Sequence, residues 1–104
     1  MTTAELQQIC TASHLRLSKS EASQLLQDLE TAKMEVVKKY KVTGLNYFEY
    51  TLHVSQYLQY LYLQPDAPRF SKRLYPNYLN FVDRVSPIVD AVCNEDYDIH
   101  FGGR

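Results

Sequence analysis

Residues 45–64 form the most apolar stretch of the chain, and their spacing is that of an α-helix. On a helical wheel at about 100° per residue, the large apolar side chains cover an arc of roughly 240°. A helix on a protein surface needs a narrower apolar stripe. The pattern therefore predicts a tyrosine-rich helix that is either wrapped by its neighbours or lends one face to a partner. We place it at the centre of a small bundle.

Two further helices are predicted before this stretch. Thr2 with Glu5, and Ser18 with Glu21, have the spacing of capping boxes, which satisfy backbone N–H groups at helix starts. Apolar residues then recur every three or four positions up to Tyr40, and Gly44 predicts the helix end. The outer face of the second helix is predicted to carry Asp28, Glu30, Lys33, Glu35, Lys38 and Lys39, with Glu35 and Lys39 spaced as an ion pair.

Prolines mark the later boundaries. The central helix is predicted to start at Asn46, with Glu49 completing its cap, or earlier at Thr43, and to end before Pro65. Residues 69–75 are predicted to form one helical turn. Pro76 suits the first position of a last helix, in which Pro87 either introduces a kink or starts a new helix.

The pattern fails after Cys93, where the sequence becomes acidic and then glycine-rich. We therefore expect a single helical domain over residues 1–94 and a tail over residues 95–104. No strand-like alternation of useful length occurs. The predicted fold class is all-α, a small three- to four-helix bundle.

Composition narrows the functional classes. The net charge of −1 argues against a dedicated nucleic-acid binder and against a polybasic membrane anchor. Cys10 and Cys93 are expected to be buried free thiols in a reducing compartment. The sequence shows no secretory signal and no apolar run long enough to span a bilayer, so we expect an intracellular protein, cytoplasmic or nuclear, without a membrane partner.

No catalytic or metal-binding pattern is visible. His14, His53 and His100 lie on three separate predicted elements without zinc-ligand spacing, and both cysteines fall on apolar faces where a thiol is inert. Nucleophile-elbow and phosphate-binding glycine motifs do not occur. We therefore expect neither an enzyme nor a cofactor or metal.

A local resemblance concerns residues 5–40. The string ICTASHLRLSKSEASQLLQDLE resembles the N-terminal helical hairpin of the C subunit of glutamyl-/aspartyl-tRNA amidotransferase, a small non-catalytic stabiliser of a larger amidase. The matching residues are His14, Leu15, Arg16, Leu17, Ser18, Glu21, Leu25, Leu26 and Leu29. This resemblance implies an accessory subunit of a multi-protein enzyme. After Tyr40 the sequence departs from that family, and we do not assign the chain to it.

Protein–protein binding is the predicted function, through the tyrosine-rich helix with a basic rim after it. The predicted partner-binding residues are Tyr50, Tyr57, Tyr60, Arg69, Phe70 and Arg73. The partner is either another protein or a second copy of this chain. The alternative is a nucleic-acid-binding domain in which bases stack on tyrosines and phosphates contact Lys38, Lys39, Lys41, Arg69, Lys72 and Arg73.

Overall fold

A computed structural model describes residues 1–74 and 78–102 of the chain, with side chains described for residues 1–74 and 85–102. The predicted all-α class is confirmed. The helices are α1 (Thr3–Ala12), α2 (Lys19–Tyr40), α3 (Tyr47–Tyr62), α4 (Ser71–Leu74), α5 (Tyr78–Asn94) and α6 (Tyr97–His100). None of these helices in the described part of the chain combines the length and apolar character needed to cross a bilayer.

All three predicted capping boxes are formed. At α1, the Glu5 N–H donates to the Thr2 hydroxyl (3.1 Å) and the Thr2 N–H donates to the Glu5 carboxylate (3.0 Å). Ser18 begins α2 in the same way. Asn46, rather than Thr43, begins α3. The three predicted helix starts are therefore confirmed. They could be predicted because each capping box involves residues only three positions apart.

The helix ends also follow local signals. Gly44 has a φ of 77°, and its N–H donates to the carbonyl of Tyr40 at 2.7 Å. Helix α3 ends at Tyr62, before Pro65. Pro87 lies inside α5, so that segment is one helix and not two. The predicted role of Pro76 lies outside the described residues.

Helix α3 is buried along one stripe and not all round. It packs against α2 and α5, and its buried residues Tyr50, Val54, Leu58 and Tyr62 recur every fourth position. Phe48 on the opposite side is 72 % exposed. Of the two options that the wide apolar arc left open, α3 therefore matches a helix with an uncovered face.

The segment after α5 folds back onto the bundle. The Tyr97 hydroxyl donates to the carbonyl of Leu45 at 2.7 Å, and the Tyr97 and Phe101 rings pack against the core. This differs from the tail expected over residues 95–104. The two rings lie one helical turn apart, and both contact Tyr50. The acidic composition of the segment gives no indication of this packing.

Lys33 is a correction to the predicted outer face of α2. It is 3 % exposed, and its ammonium group lies 3.0 Å from Asp96, 3.1 Å from Glu30 and 3.2 Å from the Val92 carbonyl. Burial lowers the pKa of Lys33, but the hydrogen bonds and charges of the two carboxylates outweigh this effect, so its pKa is raised. The ammonium group therefore ties α2 to the C-terminal segment.

Candidate functional site

The six predicted partner-binding residues separate into three locations. Tyr57 and Tyr60 lie on an open side of α3, and Arg69 and Arg73 lie on the segment that follows it. Tyr50 and Phe70 lie in the core. The structure therefore does not bring the six together as one surface.

Tyr50 and Phe70 are corrected as candidates for contact with a partner. Tyr50 is fully buried because it belongs to the core stripe of α3, and its hydroxyl donates to Asp96 at 3.1 Å. Burial and the charge of Asp96 raise its pKa. Phe70 is 4 % exposed, and its ring meets the Tyr62 ring edge-to-face at a centroid distance of 5.8 Å.

Tyr60, which is exposed, and Tyr57, which is half-buried, line a groove between α2 and α3 with a volume of about 300 Å³. We call it the aromatic groove. Its lining includes Glu35, Lys39, Tyr40, His53, Tyr57 and Tyr60. Four of these six side chains carry rings, and they come from two helices, so the groove depends on the α2–α3 packing.

Two ring pairs form the aromatic groove. Tyr40 of α2 lies against His53 of α3 with ring centroids 4.6 Å apart. Tyr57 and Tyr60 are 5.8 Å apart with their planes tilted by 55°. Tyr60 is 57 % exposed, so much of its ring is open to a binding partner.

The charges of the groove are arranged differently from the prediction. Glu35 and Lys39 form no ion pair, and the Lys39 ammonium group lies over the Tyr40 ring, 5.4 Å from its centroid. Among the described residues, Glu35 has no ion-pair partner. Burial and the Glu35 charge raise the pKa of Tyr57, so its hydroxyl stays protonated at neutral pH.

No protein-family model, curated protein or solved structure matches this chain. The likeness of residues 5–40 to the amidotransferase subunit rests on the hairpin residues alone.

Exposed apolar side chains concentrate on α3. Of the seven large hydrophobic residues that are most exposed in the described part of the chain, four lie on α3 or on the residue that caps its C-terminus. These four are Phe48 (72 %), Leu52 (43 %), Tyr60 (57 %) and Leu63 (66 %). The other three, Met34, Val42 and Ile99, lie elsewhere in the chain.

The two predicted basic clusters lie far apart. Lys39 belongs to the aromatic groove, near the C-terminus of α2. Arg73 forms an ion pair with Glu21, in the first turn of α2. Along α2 this separation is about 27 Å at the helical rise of 1.5 Å per residue. The groove therefore combines tyrosines with one lysine cluster but not with both.

The thiols and histidines do not assemble into a reactive centre in the described residues. Burial raises the pKa of Cys10 to about 11 and that of Cys93 to about 12, which keeps both thiols protonated. Among the described residues, no group of three or more histidine, cysteine, aspartate or glutamate side chains could hold a metal ion.

Proposed function

We propose that this chain is a non-enzymatic helical module that binds a protein partner through the aromatic groove and the adjoining exposed side of α3. The observation that supports this proposal is the aromatic groove itself, in which Tyr57 and Tyr60 remain accessible on a helix whose other face forms the core. Tyrosine is enriched in protein interfaces because its ring supplies contact area while its hydroxyl can stay hydrated.

The size of the groove favours a side-chain anchor as its occupant. About 300 Å³ is at the lower end of the range for small-molecule pockets, so it suits one or two side chains of a partner. Glu35 and Lys39 balance each other in charge, which favours an apolar or aromatic anchor over a charged one. Such anchors in the middle of an interface supply most of its binding energy.

The test compares Tyr60→Ala with Met34→Ala. Both side chains are 57 % exposed, but Met34 does not line the groove, so the second variant is a matched control. A partner is first captured from native lysate and identified, and its affinity is then measured by calorimetry with each purified variant. We expect Tyr60→Ala to weaken binding by at least about 2 kcal/mol, roughly thirtyfold, and Met34→Ala to change it little.

Equal affinities for the two variants would contradict the proposed surface. If the captured protein is this chain itself, the surface serves a homodimer, and dissociation of the dimer by Tyr60→Ala replaces the calorimetric test. If it is a much larger enzyme chain, the module is an accessory subunit.

Nucleic-acid binding is the second candidate, and one observation favours it. Lys39 and three tyrosines share the aromatic groove, which is the combination that stacks single-stranded bases beside a phosphate contact. This candidate predicts binding to single-stranded RNA that weakens steeply with salt. Loss of the captured partner after nuclease treatment would favour it over the protein-binding proposal.

A further inference from the structure

A basic surface at the far end of α2 differs in character from the aromatic groove. The Arg73 guanidinium donates to the Arg16 carbonyl at 2.9 Å and pairs with Glu21. These bonds bring the segment after α3 against the loop between α1 and α2. We call the resulting surface the basic pole, which comprises His14, Arg16, Lys19, Arg69, Lys72 and Arg73.

Most of the positive charge at this pole is not neutralised. Arg16, Lys19, Arg69 and Lys72 are exposed, and none forms an ion pair with a described acidic side chain. Glu21 is already paired with Arg73. A chain with a net charge of −1 thus concentrates uncompensated cations at one end, where they attract an anionic ligand.

The basic pole contains a cavity of about 390 Å³ lined by Thr11, His14, Leu15, Arg16 and Arg73. Every lining side chain that can carry charge is basic. The loop that forms its wall is held by backbone hydrogen bonds from His14 to Thr11 (3.0 Å) and from Leu15 to Cys10 (2.8 Å).

His14 has a φ of 62°, a left-handed backbone conformation that is uncommon for a residue other than glycine. The turn therefore places an imidazole at the cavity where glycine would fit the backbone more easily. The hydrogen bonds from His14 and Leu15 are those of the motif that commonly ends α-helices with a residue in this conformation, so the turn ends α1 and leaves the imidazole at the cavity.

The geometry points to this cavity as a binding site for the phosphoryl group of a phosphorylated serine or threonine in a partner peptide. A phosphoryl group brings a charge of about −1.5 to −2 and three acceptor oxygens, which suit the side-chain donors of His14 and Arg16 that line the same cavity. Exposed Lys19, Arg69 and Lys72 lie in the adjoining segments, where acidic residues of the peptide would contact them.

A single-stranded nucleic acid fits this pole less well, because it needs rings on which bases stack. Phe70, the ring closest in sequence to Arg69, is 4 % exposed. Tyr60 lines the aromatic groove together with Glu35, which lies about 21 Å along α2 from Glu21 at 1.5 Å per residue. Among the described residues, the basic pole therefore supplies charge without stacking.

The experiment measures fluorescence anisotropy of a labelled peptide library with one fixed central phosphoserine and random flanking residues. The full chain is compared with Arg16→Ala, with His14→Gly and with Lys38→Ala, an exposed lysine near the other end of α2. We expect Arg16→Ala to weaken binding by at least about tenfold, since it removes a charge-assisted hydrogen bond. His14→Gly should also weaken binding while the fold is kept, because glycine accepts the positive φ.

Three results would overturn the inference: equal binding of the unphosphorylated library, unchanged binding by Arg16→Ala, or an equal loss with Lys38→Ala. Displacement of the phosphopeptides by single-stranded RNA at lower concentration than by unlabelled phosphopeptide would assign the pole to nucleic acid instead. This inference does not depend on the aromatic groove, so Tyr60→Ala should bind the library as the unmodified chain does.

Discussion

Replacing Asp96 with asparagine removes the negative charge that lies 3.0 Å from the buried ammonium group of Lys33. The side chain keeps its size and one oxygen that can accept the hydrogen bond from the Tyr50 hydroxyl, so the main perturbation is electrostatic. Lys33 would retain the Glu30 carboxylate at 3.1 Å and the Val92 carbonyl at 3.2 Å. The free energy of unfolding should fall because a buried cation loses its better-buried counter-charge.

The magnitude follows from the exposure of the groups. Removing one partner of a buried ion pair typically costs 3–5 kcal/mol. The Asp96 side chain is 20 % exposed and Glu30 is 51 % exposed, so solvent screens both carboxylates in part. We therefore expect a loss of about 2–3 kcal/mol, which corresponds to a melting temperature lower by roughly 10 °C or more for a domain of this size.

Urea unfolding at pH 7, monitored by circular dichroism, measures this loss in the free energy of unfolding. Because the pKa of Lys33 is raised, its stabilising contribution is fully present below its unfolded pKa and is lost as the pH rises through the folded value. Asp66→Asn, an exposed loop substitution, is the matched control and should change stability by less than about 0.5 kcal/mol.

The double variant Lys33→Met, Asp96→Asn distinguishes a stranded charge from lost packing. With no cation left in the core, it should be more stable than Asp96→Asn alone, because buried ion pairs are often replaced by apolar groups at little cost. A double variant less stable than the single one, or an Asp96→Asn loss no larger than that of the control, would refute the reasoning.

Three other measurements address separate features. Burial raises the pKa values of Tyr47 and Tyr50, and for both residues a nearby aspartate adds to the effect, so in the folded protein these two of the nine tyrosines should ionise above the ordinary tyrosine pKa of about 10. Since raised values stabilise the fold below the unfolded pKa of about 10, stability should fall above it; a titration at 295 nm in which all nine ionise together near that pH would contradict this. Cys10 and Cys93 should not react with a thiol reagent until denaturant is added, and rapid native labelling would show that they are accessible. Gly44→Ala should cost about 1 kcal/mol in thermal unfolding through backbone strain alone, since no atom lies within 4 Å of the added methyl group; an unchanged melting temperature would show that the turn relaxes.

Helix starts and ends could be predicted because their signals are local. Thr2 and Glu5 contact each other across a single turn, as do Ser18 and Glu21, whatever the rest of the chain does. Gly44 likewise ends its helix through its own backbone freedom.

The side-chain environments could be predicted only in part, because they depend on distant segments. Lys33 lies four positions from Leu29 and four from Val37, so its place within the apolar stripe was a signal of burial. Its partner Asp96 lies in an acidic segment without helical periodicity, which gave no sign of the contact. Tyr50 and Tyr57 belong to the same wide arc of α3, and which of the two is covered depends on where the C-terminal segment packs.

The tie between Lys33 and the C-terminal segment also bears on how the chain folds as it is synthesised. Lys33 and the Val92 carbonyl are 59 residues apart, and Asp96 follows still later. While α2 and α3 are already outside the ribosome, the Lys33 ammonium group has only Glu30 to compensate its charge. Burying it in that state is costly, so α2 and α3 should remain loosely packed against each other until Asp96 emerges. Completion of the core around Lys33 therefore waits for a residue that is synthesised 63 positions after it.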